Sequence, residues 1–181
     1  MLRGLVRVMG VIAVLAAPSA EAQEKVAQEV KLPPGYRLDW AGDFVNSLLN
    51  YGYGVLYSQV WGAIQNAGLE PFAGYLHTDR PGKPSLVLDL TEEFRAPVVD
   101  RTVIAALRLG QLQPPKKESC KGLDADTRSI LVDRLLRRLE SRERWNGADY
   151  QVRSIIQMQA RRIASFLTRR TERYLPFRFK W

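Results

Sequence analysis

The sequence predicts an all-α fold of several helices, and three observations support this prediction. Apolar residues recur at helical spacing in the longest segments, Pro and Gly separate those segments, and no stretch shows the alternation expected of a strand. The 181 residues are enough for one domain with its own core. We therefore expect a helical domain over residues 36–181, preceded by an N-terminal helical segment at 1–35.

The N-terminal segment permits two interpretations. Residues 1–22 are typical of a secretory signal peptide, because Arg3 and Arg7 precede an apolar run at 8–17 and Ala20-Glu21-Ala22 is a small-x-small cleavage pattern. The apolar run is too short to cross a membrane as a helix. The alternative is an ordinary helix left from a linker. The first interpretation implies export, and the second implies a cytoplasmic protein.

The first long helix is predicted over residues 44–67, where apolar residues recur at helical spacing and Gly68 supplies a C-terminal stop. Gly52 and Gly54 lie inside this helix and cost about 1 kcal/mol each relative to alanine. We therefore expect another backbone to pack closely against them. A loop rich in Pro and Gly follows at 69–84, and it contains the single histidine, His77.

Two shorter helices should follow the loop. Ser85 is expected to cap a helix that runs through Phe94, and Pro97 to open another that Gly110 ends. Residues 111–122 form an exposed linker. In the C-terminal part, Asp124 should cap a helix to about residue 144, the Asn146-Gly147 pair forms a turn, and a last helix runs over about 150–170.

The positive charge is concentrated in the C-terminal part. Residues 127–181 contain fourteen Arg and Lys but five Asp and Glu, whereas the rest of the chain is close to neutral. This asymmetry favours a polyanionic partner, nucleic acid before a membrane surface. The alternative is a solvated arginine-rich face paired with Glu140 and Glu143. The candidate DNA contacts are Arg134, Arg138, Arg161 and Arg162.

One short segment carries the residues best suited to catalysis. Asp89 and Glu92 are three residues apart, so on a helix they share a face with about 5–6 Å between their Cβ atoms. A neutral nitrogen of His77 and one carboxylate can bind a divalent ion, while the second carboxylate completes the shell or orients the histidine. Such an ion stabilises charge on a phosphate oxygen and activates an attacking hydroxyl.

Several motifs resemble one known family. They are the Gly- and Tyr-rich helix at 48–60, the segment from Ala67 to Arg95 with its Gly-Tyr-Leu-His and Asp-Leu-Thr-Glu-Glu-Phe-Arg motifs, Pro97-Val-Val-Asp-Arg, residues 153–162 and the closing residues 174–181. Over about residues 36–181 the sequence resembles the helical catalytic domain of the CRISPR-associated Cas-one endonuclease/integrase.

The resemblance implies a metal-dependent enzyme that cuts DNA and joins new spacers to a CRISPR array by transesterification. It implies Mg²⁺ or Mn²⁺ as cofactor, and protospacer and repeat DNA together with the small Cas-two subunit as partners. His77 and Glu92 correspond to metal ligands, and Asp89 is a ligand or a support. It also favours a cytoplasmic protein over an exported one.

Two departures from the family pattern modify these expectations. The glutamate ligand on the Gly/Tyr helix falls on Gln59, whose neutral amide suits a hard cation less well than a carboxylate. We therefore expect weak metal binding and low activity, with a non-catalytic DNA-binding scaffold as the alternative. Family members also begin with a β-rich domain that builds a homodimer. That domain has no counterpart in residues 1–35. We therefore expect either that the gene is truncated or that the β-domain is encoded separately, and a homodimer of the family type is not expected from this chain.

Overall fold

A computed structural model of the chain describes residues 38–77, 82–114 and 123–179. The N-terminal segment 1–35, with its signal-like residues 1–22, lies outside the described residues. The elements in chain order are α1 (Leu38–Asn66), α2 (Ser85–Phe94), the π-helical segment π1 (Arg95–Asp100), α3 (Arg101–Arg108), α4 (Ala125–Glu140), β1 (Arg142–Trp145), β2 (Ala148–Gln151) and α5 (Val152–Leu167). The all-α fold class is confirmed.

The long helix α1 lies at the centre and packs against α2, π1, α4 and α5. Its buried side chains recur at intervals of four or eight residues, which places them on one face: Leu48, Leu56, Val60 and Ile64. Gly52 lies in the same row, and a Cβ at this position would come within 2.6 Å of Val99 Cγ1. The close packing predicted at Gly52 is confirmed. The same prediction is wrong for Gly54, since nothing lies within 4 Å of a Cβ there.

The boundaries of α1 and α2 differ in part from the prediction. α1 begins at Leu38, six residues earlier than expected, and ends beside Gly68, whose φ of 72° is the left-handed conformation expected of a helix stop. Ser85 does not cap α2. Pro84 holds the capping position without a side-chain hydrogen bond, and the Ser85 hydroxyl donates to the Lys83 carbonyl at 3.3 Å.

The predicted break at Pro97 is wrong, because α2 continues through π1 into α3 as one helical rod. Pro97 has no N–H to donate and lies inside the wider π turn, which accommodates its ring without ending the helix. Its carbonyl accepts a hydrogen bond from Arg138 Nε of α4 at 2.9 Å. The π segment is thereby held by a side chain from another helix.

A β-hairpin between α4 and α5 was not predicted. β1 and β2 pair antiparallel, with Arg142 opposite Gln151 and Trp145 opposite Ala148. The predicted Asn146-Gly147 turn is confirmed, and both residues have positive φ, 49° and 84°, as a two-residue type I′ turn requires. The strands are only four residues long, three of the four residues of β1 are charged, and neither strand has the apolar alternation by which strands are recognised.

Residues 174–179, which we call the C-terminal strap, pack against the core without regular structure. The Phe177 ring stacks on Phe94 of α2 at 5.3 Å. The buried Glu93 carboxylate accepts hydrogen bonds from the Tyr174 hydroxyl, from Phe177 N at 2.9 Å and from Gln159 Nε2 at 2.8 Å. Burial raises the pKa of Glu93 above its ordinary value, and the three donors oppose that rise.

Among the described helices, none combines the length and the apolar character that a bilayer crossing requires.

Asp124 caps α4 as predicted, because its Oδ1 accepts the Thr127 N–H at 2.7 Å. This bond lowers the pKa of Asp124 below its ordinary 3.8. A carboxyl whose pKa is depressed in the folded state adds stability above its unfolded pKa, and this stability is lost as pH falls through the folded pKa.

We expect wild type to be more stable than Asp124→Asn at pH 7, measured by urea unfolding. The difference should shrink below pH 3.8; because asparagine also caps helices, a constant difference would contradict the contribution of the carboxylate charge.

Candidate active site

The buried carboxylate of Asp89, on α2, organises the loop that carries His77. Asp89 Oδ2 accepts the backbone N–H of Tyr75 at 2.6 Å and of Leu76 at 3.0 Å, and Oδ1 accepts the N–H of His77 at 3.1 Å. The Asp89 residue is only 8% exposed. Three successive backbone amides of the loop donate to one carboxylate that is shielded from solvent. These charge-assisted hydrogen bonds fix the backbone of the loop, and each of them satisfies an N–H that would otherwise need another acceptor.

The same carboxylate orients the imidazole. His77 Nδ1 lies 2.6 Å from Asp89 Oδ1. Because an ionised carboxylate can only accept, Nδ1 carries the proton and the lone pair of the neutral ring is on Nε2. The His77 side chain is 30% exposed, so the ring is reachable from solvent. A histidine held on one nitrogen by a carboxylate is the arrangement that proteins use to bind metals or to move protons.

Close packing against α2 brings this loop into position. A Cβ on Gly74 would lie 2.3 Å from Ser85 Cβ and 2.7 Å from the Ser85 carbonyl carbon, so only glycine permits this approach. The Leu86 N–H donates to the Pro71 carbonyl at 3.0 Å, which adds a second tie between loop and helix. Phe72 packs edge-on against Trp61 of α1, with ring centroids 5.8 Å apart.

Glu92 lies three residues beyond Asp89, on the same face of α2. The structure therefore brings His77 and Asp89 into contact, whereas the place of Glu92 in the same site stays a prediction. Their environments differ. The Asp89 oxygens are occupied by the loop, whereas the Glu92 side chain is 13% exposed and its Oε1 accepts Arg95 Nη1 at 2.8 Å. Asp89 has the contacts of a support, whereas Glu92 is mostly buried and is paired with Arg95.

A network behind Glu92 was not predicted. The Arg95 guanidinium lies 4.2 Å from the centre of the Tyr53 ring, and the Tyr53 hydroxyl donates to Asp100 Oδ1 at 2.6 Å. Burial and the neighbouring Asp100 raise the pKa of Tyr53, and burial likewise raises the pKa of Asp100. The spacing of Glu92 and Arg95, three residues on a predicted helix, is a signal that could have identified this pair from the sequence.

Arg95 itself is stabilised as a cation. Burial would lower its pKa, but hydrogen bonds to Tyr53 and Glu92 outweigh burial, so the pKa is raised. The guanidinium remains positive next to the site at any pH at which the protein is folded.

Gln59, the expected third ligand position, lies on α1 and is exposed. It follows Gly52 by seven residues, about two helical turns, so the two positions share a face of α1. A Cβ at Gly52 would come within 2.6 Å of Val99 in the segment that continues α2. The role of Gln59 as a ligand position stays a prediction.

The donors for a divalent ion are therefore few. Within residues 38–77, 82–114 and 123–179, no group of three His, Cys, Asp or Glu side chains is placed to hold a metal. His77 Nε2 and the Glu92 carboxylate are the two candidate donors. Mg²⁺ commonly binds through one or two protein groups and takes its other ligands from water and substrate phosphates. A neutral imidazole nitrogen and a carboxylate are donors that Mg²⁺ or Mn²⁺ accepts, and the rest of the shell would come from water and substrate.

The four arginines predicted to contact DNA have different environments. Arg161 is exposed on α5, and Arg134 is half-buried. The half-buried Arg162 lies 4.3 Å from the centre of the Trp145 ring. Arg138 is mostly buried and structural, because it donates to Pro97, Ser141 and Glu143. The expected DNA contact at Arg138 is corrected, since its guanidinium is used inside the fold.

The Asp89 arrangement yields a prediction about the loop. We expect Asp89→Ala to lower the free energy of unfolding by about 2–3 kcal/mol, because three amides and an imidazole lose a charged acceptor. Hydrogen exchange at the amides of Tyr75, Leu76 and His77 should accelerate. Glu92→Ala is the matched control on the same helix and should leave these three exchange rates unchanged. Unaltered exchange in Asp89→Ala would show that the loop is held by other contacts.

Known proteins are similar to this chain in sequence and in fold. The family described as CRISPR associated protein Cas1 matches residues 39–125. The CRISPR-associated endonuclease Cas1 1 of Archaeoglobus fulgidus is 40% identical over 145 residues, which is 78% of this chain and 42% of that protein. The protein of the same name from Francisella tularensis subsp. novicida is 41% identical over 139 residues, 77% of this chain and 41% of its own length. The chain thus spans about two fifths of these curated relatives.

Solved structures agree with this relationship. A casposase bound to its integration product superposes with a TM-score of 0.66 at 29% identity, over 71% of this chain and 37% of that one. A CAS1 protein from Thermotoga maritima has the same fold, with a TM-score of 0.69 at 23% identity over 82% of this chain and 48% of that one. Sequence and fold lead to one conclusion: the chain belongs to the Cas1 family.

Proposed function

We propose that this chain is a DNA endonuclease/integrase subunit of CRISPR spacer acquisition, which cuts and transesterifies phosphodiesters with a divalent metal. The observation that carries the proposal is the His77 imidazole, which the buried Asp89 holds through Nδ1, with Glu92 one helical turn beyond Asp89 on α2. The relatives named as Cas1 endonucleases and the casposase with its integration product support it. Because the chain spans about two fifths of the curated relatives, activity, partners and dimerisation all belong to the proposal.

The residues that would hold Mg²⁺ or Mn²⁺ are His77, through Nε2, and Glu92, through its carboxylate. When bound, the ion supplies Lewis acidity to a phosphate oxygen and lowers the pKa of an attacking hydroxyl. Asp89 keeps the proton on Nδ1, so that Nε2 stays a donor for the ion. The hydrogen bonds to the loop backbone hold the His77 Cα in place, and the contact through Nδ1 fixes the orientation of the ring.

DNA is the proposed substrate, and exposed arginines are its proposed contacts. Arg161 on α5 is exposed, and so is Arg153, about two helical turns earlier on the same helix. Arg144 on the hairpin is 72% exposed. Guanidinium groups on one basic half of a chain bind successive phosphates with strong salt dependence and little sequence preference. The protospacer, the CRISPR repeat and the small Cas-two subunit are the partners that this function requires.

Cleavage of branched DNA in the presence of Mn²⁺ tests the catalytic proposal. We expect His77→Ala to reduce the cleavage rate by about 10²-fold or more, because it removes a donor to the metal. Gln59→Glu, which restores a carboxylate at the position that the family resemblance assigns to a ligand, should tighten Mn²⁺ binding and raise the cleavage rate. Equal affinity and an equal rate would show that the amide at this position is immaterial. If wild type binds DNA but does not cleave it, the chain is a non-catalytic DNA-binding scaffold.

The arginines provide a second test with an internal contrast. Arg161→Ala should weaken binding to duplex DNA and reduce the slope of log affinity against log salt by about one, measured by fluorescence anisotropy. Arg138→Ala should instead lower the free energy of unfolding by about 2–3 kcal/mol, because Glu143 and the Pro97 carbonyl lose a buried donor. If Arg161→Ala has the same slope of log affinity against log salt as wild type, Arg161 does not contact the DNA.

A further inference from the structure

The carboxylate proposed as a metal ligand already has a positive partner. Arg95 Nη1 lies 2.8 Å from Glu92 Oε1, and the two side chains are 22% and 13% exposed. Solvent screens such a partly buried pair less than an ion pair on the open surface. A divalent ion approaching Glu92 therefore meets an oxygen that is hydrogen-bonded and a carboxylate whose charge is balanced.

The far side of the guanidinium is also occupied. The Arg95 Cζ lies 4.2 Å from the centre of the Tyr53 ring, a distance at which the ring face attracts a cation. The Tyr53 hydroxyl donates to Asp100 at 2.6 Å, so a second carboxylate lies one ring beyond Arg95. Arg95 is thus located between Glu92, which it contacts directly, and Asp100, which it faces through Tyr53. The guanidinium has a favourable position available on either side.

We propose that Arg95 is a resident counter-cation of Glu92 and sets the affinity of the site for a divalent ion. The inference rests on the proposed function, because it takes Glu92 as a metal donor. Arg95 is a positioning residue: in the metal-free protein it neutralises Glu92 and holds it in one orientation. Binding of Mn²⁺ or Mg²⁺ displaces the guanidinium toward Tyr53 and Asp100.

Electrostatics determines the sign of the effect. An arginine next to a metal site repels the incoming ion and competes with it for the same carboxylate oxygen. Removal of that charge should strengthen metal binding, although the metal-free protein loses an ion pair. An arginine that merely supports the fold would have the opposite signature, because its loss would loosen Glu92 and weaken metal binding.

The test is titration of Mn²⁺ into the full chain by calorimetry. We expect Arg95→Met, which keeps the aliphatic stem and removes the charge, to bind Mn²⁺ about tenfold more tightly than wild type. Arg95→Gln should shift affinity in the same direction and serves as the second variant if Arg95→Met is poorly folded. Arg95→Lys keeps the charge and should remain near wild type. Unchanged or weaker binding in both neutral variants overturns the inference.

Matched controls separate this inference from the proposed function. Arg101→Met removes a positive charge six residues further on, where the guanidinium pairs with Glu143 at 3.9 Å. It should leave the Mn²⁺ affinity unchanged. A similar gain in affinity in Arg101→Met would show that the effect comes from the net charge of the protein and not from the contact with Glu92, and would overturn the inference. In the Glu92→Gln background, Arg95→Met should give no gain.

The outcomes are distinguishable. If Glu92→Gln weakens binding but neither neutral Arg95 variant strengthens it, only the role of Arg95 is wrong. If Glu92→Gln binds like wild type, or if no protein binds Mn²⁺, the proposed metal donor is wrong and the inference falls with it. A readout without metal is the thermal unfolding temperature. Arg95→Met should lower it more in wild type than in Glu92→Gln, where the ion pair is already broken and only the contact with Tyr53 is lost.

Discussion

One buried carboxylate determines the geometry of the site. Asp89 accepts three successive backbone amides and the imidazole nitrogen of His77, so loop conformation, ring orientation and tautomer follow from a single side chain. A shorter or neutral side chain could not accept all four donors from inside α2. The glycine at 74 is the complementary requirement, because it allows the loop to approach Ser85 closely enough for these bonds to form.

The helix α2 is held from both sides by two adjacent glutamates with different roles. Glu92 faces the site and Arg95, whereas Glu93 is directed into the core and accepts donors from α5 and the C-terminal strap. Consecutive residues on a helix are about 100° apart, which allows neighbours to serve two separate environments. Burial raises the pKa of Glu93, so this clamp retains a carboxyl where an apolar residue would be easier to bury. The position of Glu92 depends in part on this clamp.

Local signals in the sequence predicted the existence of the helices and the turn at Asn146-Gly147, because these are short-range patterns, but they predicted several helix boundaries wrongly. Long-range contacts explain the errors. The residues of β1 are charged and gave no strand signal, and Arg138 reads as part of a basic stripe although tertiary packing encloses it. A role for Asp89 in orienting His77 was predictable from motif and spacing, and their contact bears this out. The ion pair of Glu92 with Arg95 and the network behind it required the three-dimensional arrangement.

The contacts of Glu93 have a consequence for how the protein acquires its shape. Its partners Tyr174 and Phe177 lie 81 and 84 residues further along the chain. Closing a loop over such separations costs conformational entropy, so we expect the Glu93 contacts to form after the local helices. Interactions that form after the transition state retard unfolding more than they accelerate folding. On that expectation these contacts would slow the unfolding of the finished domain.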